Sequence, residues 1–132
     1  MTASLIEKLK NEYPNFLFKV GKKFAFKPPR TIFYNDADDM FEPLILHEIA
    51  HAILNHTDYK MDVERLKMEN EAWEKAKELS VKYNVQIDEN LIQEKLDSYR
   101  DWLFNKSKCK KCGLTRYQTP DGKYHCPNCN KK

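Results

Sequence analysis

Two groups of residues in this chain stand at spacings that metal chemistry uses. The first is His47-Glu48-Ile49-Ala50-His51, an HExxH pattern. On a helix, residues four apart project from one face a turn apart, so both imidazoles can reach one Zn²⁺. Glu48 stands about a hundred degrees round the axis from His47, beside the ion. There it can take a proton from zinc-bound water and deliver it to a leaving amine. The second group is Cys109-Lys-Lys-Cys112 and Cys126-Pro-Asn-Cys129, with thirteen residues between the pairs. That is zinc-ribbon spacing, two thiolates from each turn. A Cys₄ site leaves no open position, so this zinc is structural. A redox dithiol is the other use of CxxC, but two matched pairs in a lysine-rich hairpin favour structure.

The HEIAH residues lie in LILHEIAHAIL, residues 44–54, which is apolar on nearly every face. The pattern predicts a buried central helix. Placing a Glu and two His inside it costs on the order of several kcal/mol unless they are paired or metal-bound. Pro43 falls in the first turn, where its missing N–H does no harm, and Asp38 or Asp39 is placed to cap the helix.

Upstream, residues 5–13 read as a short amphipathic helix ending at Pro14. Residues 16–20 and 24–26 are aromatic-rich strands, expected to form a hairpin across Gly21-Lys22-Lys23. Pro28-Pro29 breaks the chain, and Thr31–Tyr34 is a third strand. Downstream, residues 60–83 form a long helix with Ala72, Ala76, Leu79 and Tyr83 along one stripe. A further helix over residues 89–104 packs Ile92, Leu96, Tyr99 and Leu103. Gly113 falls after the first cysteine pair, and Asp121-Gly122 marks a hairpin turn between the pairs.

Two imidazoles leave zinc short of a third protein ligand. An extended motif would need Gly and His where the chain has Leu54 and Thr57. His56 is five residues past His51 and is expected behind the ligands or facing solvent. No other histidine precedes His125, so the third ligand is expected to be a carboxylate on the next helix. Asp62, Glu64, Glu69, Glu71 and Glu74 are the candidates. Glu71, which borders the stripe at Ala72, leads them, and Glu69 comes next.

HEIAHAILNH followed by Glu69-Asn70-Glu71-Ala72-Trp73-Glu74-Lys75-Ala76 resembles the gluzincin metallopeptidases. It is closest to the ImmA/IrrE-type family, across roughly residues 31–80. The resemblance implies zinc on His47, His51 and Glu71, with Glu48 as general base. It also suggests that Thr31–Tyr34 is an edge strand able to bind substrate backbone. SprT-like proteases come second: they too join HExxH to a zinc ribbon, but they use a downstream histidine that this chain lacks. Tyr34, His56 and Tyr59 are all open as donors to an oxyanion.

Length and charge fit these assignments. The chain has 132 residues, 41% of them hydrophobic, enough for one small domain and an appendage. No apolar run is long enough for a membrane span, and residues 1–10 lack the pattern of a secretory signal. A cytoplasmic protein is expected, with no membrane partner. The net charge of +3 is unevenly spread. Residues 105–132 hold eight cations against Asp121, a net of +7, and the rest of the chain carries −4. The basic end, with Arg116, Tyr117 and Tyr124 interleaved, suits nucleic acid. A solubilising tail or a protein-docking module would look the same.

The expected fold class is α+β. A zincin-like domain over residues 1–105 would carry a short antiparallel or mixed sheet, the HExxH helix, the ligand helix and one more helix. A Cys₄ zinc ribbon would follow over residues 106–132. The expected function is a zinc-dependent peptidase acting on protein or peptide substrates, with one catalytic and one structural Zn²⁺. The alternative is a non-enzymatic DNA- or protein-binding regulator with a degenerate zincin core. Intact Glu48 favours the enzyme, because a purely structural zinc has no use for a base.

Overall fold

The computed structural model describes residues 4–129. It is a mixed α+β chain with four helices, a three-stranded sheet and a two-stranded C-terminal hairpin among the described residues. No described helix is long and apolar enough to cross a membrane. Contacts group the chain into two compact units. The first runs to Thr57 and resumes over Glu71–Asp88. The second takes Asp58–Asn70 and the chain from Glu89 onward, so the last long helix groups with the ribbon.

In the first unit, helix α1 spans Leu5–Glu12 and starts on Ser4, whose Oγ accepts from the Glu7 N–H at 3.2 Å. It buries Leu5 and Leu9. The strands are β1 (Leu17–Val20), β2 (Ala25–Lys27) and β3 (Thr31–Tyr34), in the spatial order β1-β3-β2. The expected β1–β2 hairpin does not form. Strand β3 lies between them, parallel to β1 and antiparallel to β2. Burial explains the choice. Ile32 and Tyr34 are the strand residues that are buried, and the central position covers both edges of the strand that carries them. For the same reason β3 is not an edge strand, and its backbone is not open to an extended ligand as the resemblance suggested.

Helix α2 spans Phe41–Ile53 and buries Ile45, Leu46, His47, Ile49, Ala50, His51 and Ala52. Pro43 sits in its first turn as expected. The Asp38 side chain accepts from the Met40 N–H at 2.7 Å, but the cap position two residues on belongs to Met40 and carries no side-chain cap, so neither Asp38 nor Asp39 caps the helix as expected. The helix ends on Asn55, whose φ of 57° lies in the left-handed region. The His56 N–H then donates to the His51 carbonyl at 3.0 Å, and the Asn55 N–H to Ala52 at 3.1 Å. This pair of bonds is a Schellman motif, which turns the chain back over the last helical turn.

Helix α3 spans Asp62–Tyr83 without interruption, although the division between units falls inside it. Ala72, Trp73, Ala76 and Leu79 are buried along one face. In the second unit, helix α4 spans Glu89–Ser107 and buries Ile92 and Leu96. The ribbon strands β4 (Tyr117–Gln118) and β5 (Tyr124–His125) pair antiparallel. Their turn needs Gly122 at φ +88°, where a Cβ would also come within 3.2 Å of the Lys60 carbonyl.

Candidate metal centres

The first candidate centre contains His47, His51 and Glu69, whose ligand atoms all lie within 4.8 Å of one another. All three side chains are buried. Helix α2 supplies the two imidazoles one turn apart, and their Nε2 atoms stand 3.2 Å from each other. Two imidazole nitrogens on one tetrahedral zinc, each about 2.0–2.1 Å from the ion, would be roughly 3.3 Å apart. The rings are therefore already at ligand separation. The His47 ring stacks on Trp73 with centroids 4.1 Å apart, which fixes the plane of that imidazole.

The carboxylate in this group is Glu69; Glu71 is not among its members. The reason is helical phase. Glu69 precedes Ala72 and Trp73 by three and four residues, so it starts the buried stripe that they continue. Glu71 borders Ala72 in sequence but lies about a hundred degrees round the axis from it. Its side chain is half exposed and its Oε1 lies 3.7 Å from His56 Nε2. The i−3 and i−4 relation to Ala72 and Trp73 was the signal in the sequence that pointed to Glu69.

His56 sits behind His51. The Schellman motif brings its ring back, and the two Nδ1 atoms stand 2.9 Å apart. Glu48 is partly exposed on α2 next to the ligands. Of the residues considered as oxyanion donors, Tyr34 is buried against Phe41 with ring centroids 5.7 Å apart, and His56 faces His51 and Glu71. Tyr59 is half-buried. Two imidazoles and one buried carboxylate are a donor set that suits Zn²⁺.

The second centre is Cys109, Cys112, Cys126 and Cys129, again with all ligand atoms within 4.8 Å. The Cys109–Cys129 and Cys112–Cys126 sulfur separations are 3.8 and 3.5 Å, and none of the four is in a disulfide. Sulfurs bound at about 2.3 Å to a tetrahedral zinc stand roughly 3.8 Å apart. The turns also aim N–H groups at sulfur: Cys129 N–H donates to Cys126 Sγ at 3.3 Å. The backbone N–H groups of Cys112 and Lys111 pull the Cys109 thiol down to about 6. Those of Cys129 and Asn128 lower Cys126, while hydrogen bonding of its thiol to Cys109, Cys112 and Cys126 pushes Cys129 up to about 12. The backbone donors thus favour the thiolate form of Cys109 and shift Cys126 the same way, toward the form that ligates zinc.

The basic residues of the ribbon do not all face outward. Arg116 Nη2 donates to the Lys106 carbonyl at 2.6 Å and Nε to Ser107 at 3.3 Å, closing the C-terminal end of α4. Its guanidinium also lies over the Tyr124 ring at 4.8 Å. Lys106 pairs with Asp62 at 2.9 Å. Lys108, Lys110, Lys111 and Lys123 are exposed, and Lys131 and Lys132 lie outside the described residues. Searched against known proteins, the chain matches no family model, no curated protein and no solved structure.

Proposed function

We propose that this chain is a zinc-dependent peptidase of gluzincin type whose Cys₄ ribbon recruits substrate or nucleic acid. One observation carries the reading: His47 and His51 present Nε2 atoms 3.2 Å apart on a buried helix, grouped with the Glu69 carboxylate. Zinc bound there would act as a Lewis acid and make water a nucleophile near neutral pH.

The chain's own residues do the rest. His47 and His51 are held by burial in α2, and His47 also by the Trp73 ring. Glu48 follows His47 directly and is partly open to solvent. It receives the proton of the attacking water and returns it to the nitrogen of the departing amine. Ile45, Leu46, Ile49 and Ala50 are wholly buried and keep water from the inner side of the helix. In the ribbon, four exposed lysines offer charge for an anionic partner, while Arg116 and Lys106 serve the fold.

The test is hydrolysis of an unfolded protein by the full chain, with and without a zinc chelator and in Glu48→Gln. Cleavage that needs both the metal and Glu48 supports the peptidase. Bound metal without cleavage would move the chain to the regulator class.

A further inference from the structure

A row of polar side chains leads from the first centre away from the expected metal, from His51 through His56 to Glu71. His51 Nδ1 stands 2.9 Å from His56 Nδ1, and His56 Nε2 stands 3.7 Å from Glu71 Oε1. A neutral imidazole donates from one ring nitrogen and accepts at the other, so the roles of His51 and His56 depend on the tautomer. A carboxylate, by contrast, only accepts. That asymmetry biases the row from its outer end.

We infer that Glu71 and His56 are positioning residues that fix the tautomer of His51 and so present its Nε2 as a ligand. This inference rests on the metal-centre reading given above. With Glu71 ionised, the favoured form of His56 carries its proton on Nε2, toward the carboxylate. Its Nδ1 is then an acceptor. His51 must donate from Nδ1, and its Nε2 is left as an acceptor pointing toward His47 Nε2, 3.2 Å away. The opposite arrangement would set the lone pair of His56 Nε2 against the Glu71 charge. A histidine ligand whose far nitrogen is held by an outer partner keeps one ring orientation and one tautomer.

Local structure explains why His56 can do this. Asn55 in the left-handed region and the bond from the His56 N–H to the His51 carbonyl bring the two rings together edge to face, with centroids 5.1 Å apart. Glu71 is on α3, half exposed, where a side-chain change should not disturb packing.

The test uses the full chain with its ribbon cysteines loaded with zinc. A second Zn²⁺ is titrated against a chelator, and ring ¹⁵N shifts of His51 are read in protein free of that second ion. The variants are His56→Phe, His56→Gln, Glu71→Lys and Glu71→Gln. Wild type should show His51 protonated on Nδ1. His56→Phe, which cannot accept, should lose about 10–100-fold in affinity for the second ion. His56→Gln, whose carbonyl can accept, should recover most of it.

Glu71→Lys would donate to His56 Nε2 and should shift His51 toward the Nε2–H tautomer, weakening binding likewise. Glu71→Gln should change little. If His51 keeps its tautomer and its metal affinity in both His56→Phe and Glu71→Lys, the inference is overturned. If His56→Phe fails to fold, Glu71→Lys alone decides. If wild type binds no second ion, the metal-centre reading fails, and the tautomer shifts still judge the row of side chains.

Discussion

Asp62 and Tyr124 meet through a 2.5 Å hydrogen bond from the tyrosine hydroxyl to the carboxylate, 62 residues apart in the chain. Asp62 is buried, and its Oδ2 also pairs with Lys106 at 2.9 Å. Its backbone N–H donates to the Gln118 side chain at 2.6 Å, and Gln118 holds the Gly122 carbonyl at 2.9 Å. The first turn of α3, the end of α4 and the ribbon hairpin thus share one carboxylate. Asp62→Ala should lower stability by about 1–3 kcal/mol, because it takes a buried carboxylate from both the Tyr124 hydroxyl and Lys106. Amide exchange across Tyr117–His125 and thermal unfolding would read the loss. Burial alone would raise the Asp62 pKa, but Tyr124, Lys106 and Arg65 together hold it below the ordinary 3.8. A depressed carboxylate stabilises fully above its unfolded value and loses that effect as pH falls through the folded one. The gap between wild type and Asp62→Asn should therefore close only in that acid range.

Much of this arrangement was legible in the sequence where periodicity and punctuation governed it. Apolar residues on every face of residues 44–54 gave a buried helix, and Gly122 marked the ribbon turn. Strand pairing was not legible, because Gly21-Lys22-Lys23 is compatible with a hairpin and only tertiary burial of Ile32 and Tyr34 puts β3 between its neighbours. The position of His56 is open in the sequence between two places, behind the ligands or facing solvent, for a different reason. Continuing α2 as an ideal helix turns residue 56 away, whereas the left-handed Asn55 folds it back onto His51. Asp62 looked like any acid in a first turn, and nothing local announced a tyrosine 62 residues on.

Glu48→Gln keeps the size and helix propensity of the side chain but cannot accept a proton. Metal content should be unchanged, while peptide hydrolysis falls by roughly two or more orders of magnitude. The measurement is single-turnover cleavage of an unfolded protein by chain whose zinc content is known. Unchanged turnover would remove Glu48 from the mechanism.

Glu69 and Glu71 separate cleanly by substitution. Glu69→Ala removes a buried carboxylate from the His47 and His51 group, and affinity for that ion should fall by more than about a hundredfold. Glu71→Ala removes only a half-exposed partner of His56 and should stay within about that factor. Competition with a chelator on chain already loaded at the cysteines gives both numbers. A larger loss from Glu71→Ala than from Glu69→Ala would reinstate Glu71 as the ligand.

Metal at the four cysteines should be structural. The strands β4 and β5 are two residues each, too little to hold a hairpin alone. Replacing Cys126 by Ser should therefore unfold residues 109–129 and expose their amides, since metal binding supplies the folding energy of so small a module. The helical signal should persist, because α1, α2 and most of the buried core lie in the other compact unit. Global loss of helix in Cys126→Ser would show instead that the ribbon is needed to fold the whole chain.

The basic end should bind a polyanion through phosphate contacts, and the structure limits how many. Arg116 is committed to the Lys106 and Ser107 carbonyls and Lys106 to Asp62, so a phosphate would have to compete with partners inside the fold for either. Lys108, Lys110, Lys111 and Lys123 are exposed, and Lys131 and Lys132 add to them in sequence. If about four of these six reach duplex phosphates together, log affinity should fall against log salt with a slope near −4. The described ribbon has only short strands and turns, with no helix to enter a major groove, so base preference should be weak. Reversing Lys110 and Lys111 to Glu should flatten the slope by about two, whereas Arg116→Gln should change stability more than the slope. Titrating labelled duplex at several salt concentrations gives all three values. Binding that ignores salt and both lysines would leave the ribbon as a protein-docking element.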